Sequence, residues 1–84
     1  MTRSGSTRGT VIRWDEDRRA GIVEAPDLPG GCWVDADVVH GPHGGTLRAG
    51  QVVDVEWAEP GTAGLPWRAT RVVPREDLQA GFGA

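Results

Sequence analysis

Turn-forming residues recur so closely along this chain that no amphipathic helix has room to form between them. No window of about eleven residues carries apolar side chains at helical spacing. Short runs rich in β-branched and aromatic residues alternate with turn signals instead. Thr10-Val11-Ile12-Arg13-Trp14 is one run, ended by the polar turn Asp15-Glu16-Asp17-Arg18. Ala20 to Glu24 is the second, ended by Pro26, Pro29, Gly30 and Gly31. Cys32-Trp33-Val34 is the third, and Asp35 to Val39 either continues it or makes one Asp-capped helical turn. A glycine-rich loop, His40 to Gly50, leads to the clearest strand, Gln51 to Ala58. There Val53, Val55 and Trp57 share one face, and Asp54 and Glu56 share the other. The loop Pro60 to Pro66 precedes a fifth run, Trp67 to Val73, which Pro74 ends.

Five short strands in 84 residues predict an all-β fold, a closed or partly open barrel. Closure removes the two exposed edges that an open five-stranded sheet would present. Alternation places Val11, Val34, Val53 and Val55 in the core, with Trp57 on the face shared by Val53 and Val55. It turns Trp33 outward and leaves the sides taken by Trp14 and Trp67 open. Residues 1–8 are small, polar and cationic and read as a disordered N-terminal tail; residues 75–84 read as a C-terminal tail, with the barrel over 9–74.

Hydrophobic residues are 38% and charged residues 25% of the chain, the balance of a soluble domain. No strictly aliphatic run exceeds two residues, so no bilayer-spanning segment is expected. Cys32 is the sole cysteine, which excludes an internal disulfide and fits a reduced, cytoplasmic protein. The net charge of −3 argues against a general nucleic-acid coat. Every cation is an arginine, so any phosphate contact must use Arg.

Several stretches match a known pattern in order. Gly9-Thr10-Val11 is followed by Trp14, and Arg18-Arg19-Ala20-Gly21-Ile22-Val23 by Cys32-Trp33-Val34-Asp35-Ala36. Leu47-Arg48-Ala49-Gly50-Gln51-Val52-Val53 and Pro66 to Val72 complete the set. Together they resemble the bacterial cold-shock domain, a five-stranded OB-type antiparallel barrel that binds single-stranded RNA and DNA. Pro29 to Trp33, Trp57 and Pro66-Trp67-Arg68-Ala69 are similar to a divergent actinobacterial branch of that family. Trp14 aligns with the family tryptophan if the first turn is one residue shorter; otherwise Arg13 takes that place and Trp14 falls on the neighbouring phenylalanine.

The resemblance implies a stacking platform built from two ribonucleoprotein motifs, and here most of its rings are missing. Ala20 and Ile22 stand where the first motif has aromatics. Asp35 and Ala36 replace a histidine and a phenylalanine of the second. A stacked base is worth roughly 1–3 kcal/mol, so the family's activity is expected to be weakened. The residues left to bind a strand are Arg13, Trp14, Arg18, Arg19, Ile22 and Trp33. Two functions follow: weak single-stranded RNA or DNA binding with low sequence specificity, or a protein-interaction module that has lost nucleic-acid binding. A monomer is expected in either case.

Each feature also has a plainer explanation. Arg13, Arg18 and Arg19 sit beside Asp15, Glu16 and Asp17, so the patch is neutral overall. His40 and His43 flank Gly41-Pro42, which forbids the helical spacing a chelating pair would use, and a zinc site needs three or four ligands. No catalytic set is visible, Cys32 reads as a small strand hydrophobe, and neither glycine pair has the Lys-Ser/Thr of a phosphate loop. No enzyme activity, cofactor or metal is expected.

Overall fold

The computed structural model describes residues 3–41 and 45–75. Each β-rich run forms a strand: β1 is Ser4–Asp15, β2 Ala20–Glu24, β3 Cys32–Asp35, β4 Val52–Ala58 and β5 Trp67–Pro74. A 3-10 turn, Ala36–Val38, follows β3 with Asp35 at its N-cap position but without a side-chain cap bond. The sheet closes in the order β1-β2-β3-β5-β4. Neighbours are antiparallel except β3 and β5, which run parallel. This is the five-stranded, all-β barrel that the turn spacing predicts.

The core is the inward row of each strand. Val11, Val23, Val34, Val53, Val55 and Val72 are each at most 1% exposed. Leu28 and Leu47, both from loops, are buried with them. Trp67 is buried as well, and its indole N–H donates to the Pro29 carbonyl at 3.0 Å. Trp57 is half-buried against this core and meets Trp67 edge to face, ring centroids 4.9 Å apart. That arrangement suits the quadrupoles of two aromatic rings.

The N-terminal boundary needs correction. Residues Ser4 to Arg8, expected as a disordered tail, form the first half of β1. They pair along β4 from Ser4 opposite Ala58 to Arg8 opposite Asp54. Backbone pairing needs no apolar side chain, so composition concealed it. Gly5 adds a steric reason: a Cβ there would stand 2.9 Å from the Trp57 indole, so only glycine lets that ring lie across the strand. Arg3 donates twice to the Glu59 carboxylate, at 2.8 and 3.0 Å, and its guanidinium lies 5.2 Å from the centre of the Trp67 ring. At the other end Arg75 is tied down, its N–H donating to the Val52 carbonyl at 2.9 Å and its guanidinium to Asp54 at 2.8 Å. The expectation of a tail beyond it, over 76–84, lies outside the described residues.

Candidate nucleic-acid interface

The outer face around β2 is set by one extra residue in β1. Val11 pairs with Val23, and the ladder resumes at Arg13 opposite Ile22, with Ile12 bulged between. Strict alternation from the buried Val11 would turn Arg13 inward and Trp14 outward. A bulge places two residues against one and resets the alternation. Ile12 and Arg13 are therefore both exposed, while Trp14 packs against the core. Trp14 lies opposite Gly21, where a Cβ would come within 2.7 Å of the indole.

With that reset, paired residues line up across four strands. Arg13 stands opposite Ile22, Ile22 opposite Trp33, and Trp33 opposite Arg68. Paired Cα atoms share a face, so a half-buried isoleucine and indole are flanked by two exposed guanidiniums. Among the described residues, neither Arg13 nor Arg68 is in an ion pair. A hollow of about 220 Å³ opens at the Arg13 end of this row, lined by Arg13, Asp15, Arg18, Ala20, Ile22 and Trp33 among others but not by Arg68. Ala20, two residues before Ile22 on β2, is buried at 2% exposure.

Four of the six residues singled out in the sequence thus come together: Arg13, Arg18, Ile22 and Trp33. Trp14 and Arg19 do not line this hollow. Trp14 borders the Leu47 segment and donates its indole N–H to Glu16. Arg19 sits in the turn with a φ of 55°, pairs with Glu16 at 3.7 Å and reaches Thr46 at 3.5 Å. Arg18 pairs with Asp15 at 3.7 Å, while the other carboxylate oxygen of Asp15 accepts from the backbone N–H groups of Asp17 and Arg18. Sequence reasoning passed over Arg68. Its signal was the alternation of β5, where Trp67 and Ala69 point inward and leave Arg68 outside.

Carboxylates border this row on both sides. The next row on the same face holds Asp15, Ala20 and Asp35, and Glu24 is the next outward residue of β2 beyond Ile22. Asp35 also receives a long contact from the Trp33 indole N–H, at 3.5 Å. The face therefore offers one apolar stacking surface, two cations and flanking anions.

Other chemistry finds little support. Burial pushes the Cys32 thiol up to about 11, the opposite of an activated nucleophile. Among the described residues, no group of three His, Cys, Asp or Glu could hold a metal ion; His43 lies outside them. No helix among them is long and apolar enough to cross a membrane. The chain matches no protein-family model and no curated protein sequence.

Proposed function

We propose that this barrel binds single-stranded RNA or DNA, weakly and with low sequence specificity, on the outer face of β1, β2, β3 and β5. The observation that carries this reading is the row Arg13–Ile22–Trp33–Arg68, a stacking surface between two guanidiniums without ion-pair partners among the described residues. Guanidiniums position phosphates and an indole accepts any base, so the set favours a strand without reading its sequence. The sequence resemblance to cold-shock domains supports the same reading. In it the protein acts as a cytoplasmic monomer.

With one ring and two or three phosphate contacts, affinity should lie in the micromolar range or weaker, as for non-specific binding. Two to three neutralised phosphates on a single strand give a salt slope of about −1.4 to −2. Fluorescence anisotropy of labelled RNA and DNA heptamers at two salt concentrations tests both numbers. Nanomolar, salt-resistant binding would contradict the reading. Complete absence of binding would leave the protein-interaction reading, which the exposed Ile12, 49% accessible, then favours.

A further inference from the structure

We infer that the face holds one nucleotide unit, a single base stacked on Trp33 with its two flanking phosphates on Arg13 and Arg68. This rests on the proposed strand binding and narrows it to a ligand size. Stacking capacity comes first. Among the described residues, Trp33 is the one aromatic side chain on this outer face, because the bulge turns Trp14 inward and Trp57 and Trp67 pack on each other at the core. A second base finds no ring.

Charge sets the limits of the site. Neighbouring strands lie about 4.8 Å apart, so the backbones of Arg13 and Arg68 stand roughly 14 Å apart across the row, with Trp33 between them. Long flexible guanidinium side chains can close inward from both ends on the phosphates either side of one base. Asp15 and Asp35 flank the row on one side and Glu24 on the other, so the carboxylates confine a bound strand to the line from Arg13 to Arg68. Along that line an added nucleotide gains no further stacking surface.

The prediction concerns oligonucleotide length. In thymidine oligomers without terminal phosphates, the trimer is the shortest with a base between two phosphates. The test titrates the full-length, isotope-labelled chain with the dimer, trimer and heptamer, reading the Trp33 indole N–H and the Arg13 and Arg68 side-chain signals by NMR. The trimer should bind several-fold tighter than the dimer. The heptamer, with five equivalent internal units, should gain only that statistical factor of about five over the trimer, because each extra stacked base would by itself give about ten-fold or more at mid-range. In Arg68→Ala the gain from dimer to trimer should shrink to about the two-fold expected from two overlapping frames and one remaining phosphate contact. A heptamer more than about fifty-fold tighter than the trimer would require further stacked bases and overturn the single-unit site, while leaving strand binding intact. Unchanged dimer-to-trimer gain in Arg68→Ala would also overturn it. Absence of shifts at Trp33 and Arg13 with all three oligomers would overturn the strand-binding reading as well.

Discussion

Arg13 and Arg68 enter the same row from opposite ends of the sequence, one through a bulge and one through the parallel pairing of β3 with β5. Neither is in an ion pair among the described residues, so their removal costs the fold little and the ligand much. Arg13→Ala and Arg68→Ala should each weaken binding to a heptamer and flatten the salt slope by about 0.7, one phosphate's share on a single strand. Arg8→Ala, which removes a partner of Asp54 on β4, should leave both quantities unchanged. Asp35 acts in the opposite sense. It stands on the same face as Trp33 and carries a full charge beside the path of a phosphate. A unit repulsion at about 4 Å in water is worth about 1 kcal/mol, so Asp35→Asn should tighten binding by up to about five-fold at low salt. Anisotropy titrations of these variants, each checked for folding by circular dichroism, measure all of these effects.

At the level of elements, strand positions were legible because turn residues and β-branched runs alternate cleanly; β2, predicted over Ala20 to Glu24, has those limits in the structure. The core was legible for the same reason, since Val53 and Val55 can share a buried face only if Asp54 and Glu56 share the other. Trp14 was not legible. An isolated strand sequence does not reveal where one residue will bulge, because the bulge is defined against the partner strand. Nor did Ser4 to Arg8 announce themselves, since their strand rests on pairing with β4 and not on their own side chains. The bulge also explains why β2 has glycine at position 21. A Cβ there would collide with the Arg13 carbonyl oxygen and lie 2.7 Å from the Trp14 ring. Gly21→Ala should therefore destabilise the barrel by about 1–3 kcal/mol, the usual cost of overpacking, and should shift near-ultraviolet circular dichroism as Trp14 is displaced. Denaturant unfolding gives the magnitude.

For the whole molecule, closure depends on β1 serving two partners, β4 with its first half and β2 with its second. Ion pairs fasten the first half at exposed positions. Hydrogen bonding from Arg75, then from Arg8, holds the Asp54 carboxyl below its ordinary value, and Arg3 does the same for Glu59. A carboxyl depressed in the folded state adds stability above its unfolded value and loses it as pH falls through the folded one. Stability should thus decline on acidification below about pH 4, and less steeply in a Glu59→Gln, Asp54→Asn double variant, as thermal melts between pH 2 and 7 can show. The larger part of the closure is backbone pairing and the cover over Trp57. Deleting residues 1–8 removes the strand from Ser4 to Arg8, frees the β4 edge and uncovers the indole that lies across Gly5. Exposure of a large apolar side chain costs about 1.5–3 kcal/mol, and each lost hydrogen bond about 1 kcal/mol, so the deletion should cost at least about 3 kcal/mol. A domain of this length is stable by only about 4–12 kcal/mol, so the loss takes a large share of the total. The melting temperature should fall by more than about 12 °C. A frayed tail would instead leave it unchanged, and a calorimetric comparison of the two chains separates the outcomes.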